Sequence, residues 1–166
     1  MSAELYTGLA WLPPAPADFS VRCRSALDGE GDVGSRLQAI ANHALDENQL
    51  DRLAGTIDRA RRARRSLAPL VPFTLGIVGN ATTNFLVPVL IATAARHGIA
   101  LECIVADYGQ AVQDALAADS PINRGRPDAV LIALDYRGLP LRAVPGDARG
   151  ADHSVAAALA PLDMIR

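Results

Sequence analysis

The sequence predicts an α/β fold, a parallel sheet of strand order 2-1-3 preceded by a helical N-terminal layer. Three observations predict it. Residues 73–110 read without interruption as strand, short polar loop, helix and strand, and a crossover of that length joins parallel neighbours in the right-handed sense. A third apolar run, Ala129–Leu134, follows a second helical stretch and completes a β-α-β-α-β alternation. Upstream of Pro69 the apolar residues recur instead at three- and four-residue spacing, the period of a helix.

Composition narrows the function classes. In 166 residues there are 16 basic and 18 acidic side chains, and half of all residues are hydrophobic. A chain of this size can bury a core. The near-balance of charge offers no basic face for a nucleic acid. All sixteen basic residues are arginine, so a lysine nucleophile, a Schiff base and a phosphate-loop lysine are excluded. Cys23 and Cys103 lack metal-ligand spacing and imply no disulfide framework, and Cys103, inside an apolar run, is expected to be a buried, inert thiol. No charged-then-apolar leader is visible, and no apolar run approaches the roughly 20 residues that span a bilayer. The expectation is a cytoplasmic chain without a membrane partner.

Residues 1–68 read as an arm and helices, and 69–166 as the α/β domain. Met1–Gly34 holds Trp11 and the Leu12-Pro13-Pro14-Ala15-Pro16 stretch, an irregular arm expected to pack through Trp11 and Leu12, with a short helix near Phe19–Leu27. Ser35 is positioned to cap a helix running to about Ala44. Asp46 with Gln49 has the shape of a capping box, and Leu50, Leu53, Ala54, Ile57 and Ala60 then form one apolar stripe on a helix over about Asn48–Ser66. Pro69 and Pro72 end the helical part. Phe73–Val78 is the first strand, Phe85–Arg96 a helix closed by His97-Gly98, and Leu101–Val105 the second strand. Gly109–Ala118 is a helix that Asp119-Ser120-Pro121 breaks. Ala129–Leu134 is uniformly apolar and should be buried on both faces. After a loop through Gly138-Leu139-Pro140, Pro145-Gly146 and Arg149-Gly150, Asp152 or Ser154 caps Val155–Leu159, which Pro161 interrupts. Flavodoxin-like sheets have about five strands, so three suggest an incomplete domain.

Parallel sheets bind ligands at the carboxyl ends of their strands, and the loop Gly79–Asn84, sequence GNATTN, lies at that end of the first strand. Pro88 is tolerated only within the first few helical positions, which sets the helix start near Asn84. Free amides and the helix dipole there favour an anion or a developing oxyanion, with Asn80, Thr82 and Thr83 as added donors. The plainer alternative is that Asn84 caps the helix and the threonines satisfy local backbone groups. Strand order 2-1-3 makes Asp135 a neighbour of Asn80–Asn84. Of the three histidines, His97 lies at the far end of the crossover helix, His43 in the helical layer, and His153 merely follows Asp152, so none is an evident base for Ser, Thr or Cys chemistry. No metal site, GxxxxGK[ST] or GxGxxG pattern occurs. The run Arg59, Arg61, Arg62, Arg64 and Arg65 reads as a solvated face or as a docking patch for an acidic partner.

The segments LDENQLDRL (Leu45–Leu53), IVGNATTNFLVPVL (Ile77–Leu90), ADYGQ (Ala106–Gln110) and PDAVLIALDYRGL (Pro127–Leu139) resemble, in order and spacing, the N-terminal region of FkbH-like proteins. That resemblance implies an SGNH-hydrolase-like α/β domain followed by a HAD-type phosphatase domain, subfamily IIIC. The HAD half, with Mg2+, would load a glyceryl unit onto an acyl carrier protein in polyketide-type biosynthesis. Its DxDx[TV] loop is absent, and Leu134-Asp135-Tyr136 does not supply it. Gly79-Asn80-Ala81 stands where SGNH enzymes carry Gly-Asp-Ser, so Ala81 replaces the nucleophile and Thr82 or Thr83 are the candidate substitutes. The resemblance thus implies an accessory or substrate-presenting domain, without cofactor, whose partner is an acyl carrier protein or a HAD domain. Its alternative is an SGNH-like esterase or acyltransferase with a degenerate nucleophile loop.

Overall fold

A computed structural model describes residues 10–29, 31–107, 109–139, 141–142 and 144–165. Residues 1–9 of the expected arm, Pro140 of the expected loop and Arg166 lie outside the described residues. The chain divides into two compact units, Met1–Pro72 with Leu86–Leu101, and Phe73–Phe85 with Glu102–Arg166. Sequence pattern changes near residue 68, but packing divides the chain elsewhere. The crossover helix joins the first unit because its buried Ala92 and Ala95 belong to the same core as Leu37, Leu53 and Ile57.

The first unit contains α1 (Phe19–Ser25), α2 (Val33–Ala41), α3 (Glu47–Arg62) and α4 (Leu86–Arg96). α2 begins two residues ahead of the expected cap. Asp32, not Ser35, is the N-cap, its carboxylate accepting from the Ser35 amide at 3.2 Å. The capping box of α3 is present: Asp46 accepts from the Gln49 amide, and the Gln49 side chain accepts from the Asp46 amide, each at 2.9 Å. α3 buries Leu53, Ala54, Ile57 and Ala60 as its spacing predicts, and also Thr56, whose hydroxyl donates to the Arg52 carbonyl at 2.8 Å. This helix stops at Arg62, short of Ser66, because Arg64 adopts φ 53°. The amides of Arg64 and Arg65 then bond the carbonyls of Arg61 and Ala60, the Schellman pattern, with arginine where glycine is usual. Leu12 is buried, but Trp11 is 66% exposed. Its ring lies 5.8 Å from the guanidinium of Arg96, which donates to the carbonyls of Ala41 and His43.

Strands β1 (Val71–Gly79), β2 (Ile99–Val105) and β3 (Ala129–Ala133) form a parallel sheet of order β2-β1-β3. Leu75 pairs with Ala129 and Gly79 with Ala133. A Cβ on Gly79 would sit 2.8 Å from the Ala133 carbonyl oxygen, so the last position of β1 requires glycine. The second unit's core contains Val78, Ala111 and Ile122, with Ile104, Ala106 and Leu134 against them. α5 (Ala111–Leu116) is shorter than expected. The supposed break at Ser120-Pro121 is a new start, since the Ser120 hydroxyl accepts from the Asn123 amide at 3.1 Å and opens α6 (Pro121–Gly125).

Two expectations are corrected here. β3 is not buried on both faces: Val130, Leu131 and Ile132 are 46%, 41% and 39% exposed, and β3, an outer strand, pairs only with β1 among the described residues, so no neighbour on its far side adds cover. The last helix, α7 (Ala148–Ile165), begins before Asp152 and continues through Pro161. Asp147 starts it by accepting from the Gly150 amide at 2.9 Å, and Ser154, expected as a cap, is buried mid-helix and accepts from the Arg142 amide at 2.7 Å. No described helix is long and apolar enough to cross a membrane.

Candidate functional site

The loop after β1 and the turn after β2 enclose a crevice of about 330 Å3, lined by Gly79, Ala81, Thr82, Thr83, Asn84, Val105, Ala106 and Asp107. It lies at the carboxyl ends of two neighbouring parallel strands, the position such sheets use for ligands. Thr83 is buried, whereas Thr82 and Asn84 are exposed. α4 begins at Leu86, which makes Pro88 its third residue and leaves Gly79–Phe85 outside the helix.

Asn80 and Asp135 leave the crevice and hold one another. Asn80 Nδ2 donates to Asp135 Oδ1 at 2.5 Å, and Asn80 Oδ1 accepts from the Asp135 amide at 3.0 Å. Asp135 Oδ1 also accepts from the Arg137 amide at 2.9 Å and so caps the single 3-10 turn Tyr136–Gly138. The Asn80 hydrogen bond, with smaller help from the Arg137 and Gly138 amides and the Arg137 charge, holds the Asp135 carboxyl below the usual carboxylate range. The expected adjacency of Asp135 and Asn80 is therefore present, but it fastens the ends of β1 and β3. Both polar groups of the Asn80 side chain are engaged there.

The charged residue lining the crevice is Asp107. It stands two residues beyond the end of β2, and the sequence pattern gave it no role. Asp107 is exposed, and its carboxylate has no hydrogen bond or ion pair among the described residues. Its backbone is fixed instead, because the buried Asp114 carboxylate accepts from the Asp107 amide at 2.8 Å. The available signal was the first acid after an apolar strand in a parallel sheet.

The remaining candidates fall elsewhere. His43 bonds the Ile40 carbonyl through Nδ1 at 3.1 Å, and neither His97 nor His153 lines the crevice. Cys103 is half-buried. Among the described residues no group of three or more His, Cys, Asp or Glu is arranged to hold a metal. In the arginine run, Arg61 donates to the Leu101 carbonyl, and Arg65 donates to the carbonyls of Leu27 and Gly29. Arg59 bonds the Gly55 carbonyl and the Thr56 hydroxyl, and Arg62 pairs with Asp58 at 2.5 Å. Arg64 alone has no such partner among the described residues. Most of the run therefore tethers backbone within the first unit.

Compared with protein-family models, with curated proteins and with solved structures, the chain matches none.

Proposed function

We propose that the chain is a non-catalytic, ligand-presenting module of the kind its resemblance to the N-terminal domain of FkbH-like proteins implies. The crevice between the β1 loop and the β2 turn receives a small polar group, which an acyl carrier protein or a HAD-type domain carries or processes. A cytoplasmic location accompanies that role. The supporting observation is the make-up of the crevice: threonine hydroxyls and amide groups surround Ala81, and among the described residues no histidine lines it. Threonine is a weak nucleophile unless an adjacent base removes its proton. The lining's hydroxyl and amide groups, with Asp107 as their one carboxylate and no histidine beside the threonines, are suited to bind and orient a polar group.

The test is a titration of the isotope-labelled chain with a purified acyl carrier protein, alone and loaded with a glyceryl thioester. Saturable shifts at Gly79–Asn84 and Asp107, stronger for the loaded carrier, support the module. Absence of any shift with either carrier, and with the domain fused to a HAD partner, rejects it. Turnover of a p-nitrophenyl ester that disappears in the Thr82→Val, Thr83→Val double variant would favour the esterase or acyltransferase alternative.

A further inference from the structure

We infer that the crevice takes a neutral vicinal diol, borne by a sugar or polyol, with Asp107 accepting from its two adjacent hydroxyls. The inference rests on the reading of the crevice as the ligand site, and it changes the charge expected of the ligand. Considered alone, the loop ahead of a helix suggests an anion. The lining, however, contains one acidic side chain and no basic one, so an anion entering it meets a like charge.

An ionised carboxylate is an acceptor with two oxygens side by side. A vicinal diol presents two donors at matching spacing, and neither carries charge to be stripped of water. Asp107 meets the requirements for that role. Its carboxylate is exposed and has no partner among the described residues, so no internal contact must be given up on binding. Its backbone is held by the buried Asp114 at 2.8 Å, so the carboxylate starts from a fixed stem and less ordering is lost when the ligand arrives. In this respect Asp114 is a positioning residue.

Location supports the same ligand. An acid at the carboxyl end of the strand beside β1 is where doubly wound folds bond ribose hydroxyls. The β1 loop lacks the glycine spacing that seats a pyrophosphate in such folds, which leaves the diol as the recognised element. Thr82, Thr83 and Asn84 can each both donate and accept, as further hydroxyls of the same ligand require. About 330 Å3 lies at the small end of ligand pockets and suits one sugar ring.

The probes are methyl ribofuranoside, its 2-deoxy counterpart, ethylamine and inorganic phosphate, each titrated into the labelled full chain while amide shifts are followed. The riboside is expected to shift Gly79, Ala81–Asn84 and Asp107. The deoxy compound should bind about tenfold or more weakly, because a charge-assisted hydrogen bond is lost. Asp107→Asn should weaken the riboside similarly while the remaining spectrum is retained, and Asp114→Asn should weaken it and also displace the Asp107 amide signal. Equal affinity for riboside and deoxyriboside, or undiminished riboside binding by Asp107→Asn, overturns the inference. If phosphate or ethylamine shifts the crevice and the riboside does not, the diol is wrong but the ligand site stands. If none of these probes and no carrier protein shifts it, both readings fall.

Discussion

Replacing Gly34 with alanine sets helix propensity against packing, and the structure decides the sign. Gly34 is the second residue of α2, and alanine in a helix interior is favoured over glycine by about 1 kcal/mol, less so in the first turn. Propensity alone therefore predicts a small gain. A Cβ built on Gly34, however, would lie 2.0 Å from the Leu67 carbonyl oxygen and 2.3 Å from that of Ala68. Both obstacles are backbone, so relief requires the Leu67–Ala68 segment or α2 to move by about 1 Å. Overfilling a packed site costs typically about 1–3 kcal/mol, and the expected net effect of Gly34→Ala is a loss in that range. Gly55→Ala is the control. Gly55 lies in the middle of α3, where an added Cβ meets nothing within 4 Å, so a gain of about 0.5–1 kcal/mol is expected. Urea unfolding followed by helical circular dichroism measures both as midpoint shifts at unchanged slope. A Gly34→Ala chain as stable as the parent would refute the reasoning, since it would mean that α2 and the 67–68 segment separate freely.

The other predictions concern the end of α3, its arginines and Asp135. Arg64→Gly should stabilise the first unit by about 1 kcal/mol, the approximate penalty for a side chain at its φ of 53°, read as a higher urea midpoint. Arg65→Met should cost about 1.5–3 kcal/mol in the same assay, because its guanidinium holds the Leu27 and Gly29 carbonyls; an unchanged midpoint would return the arginine run to a solvated face. The Asp135 carboxyl titrates below its unfolded value of about 3.9. Its contribution is therefore present above that value and lost as pH falls through the folded one. In Asn80→Ala the Asp135 midpoint should rise toward the unfolded value, followed by carboxyl 13C shifts, and an unmoved midpoint would assign the depression to the Arg137 and Gly138 amides instead.

The sequence made legible those features whose cause is local. Asp46 and Gln49 announced a capping box that exists, because three residues suffice to build one. The apolar runs, alternating with helical stretches, announced three parallel strands and the crossover helix, and with them the 2-1-3 order. Failures arose where a distant partner or a competing cap decides. Asp32 displaced Ser35 as the cap of α2, and Asp147 displaced Asp152 and Ser154 at α7. The apolar run of β3 read as buried on both faces although the expected 2-1-3 order already placed it outermost, since composition records hydrophobicity and not which neighbours arrive. The arginine run gave no sign of the distant carbonyls, those of Leu27, Gly29 and Leu101, to which Arg65 and Arg61 donate.

The candidate site divides along the same line. The loop GNATTN offered its polar groups as one set, yet the fold separates them: Asn80 is committed to Asp135, while Thr82, Thr83 and Asn84 line the crevice. The residue that fixes the sign of charge there comes from outside the loop. A loop's own amides can favour an anion by only a fraction of a charge, whereas Asp107 adds a full negative charge at the end of β2. Strand order is what brings that acid beside the loop, across 22 residues of intervening helix and strand (Phe85 to Ala106). Ligand class in a parallel sheet is thus set by the pair of strand ends that adjoin, and a motif read on one strand alone gives half of the answer.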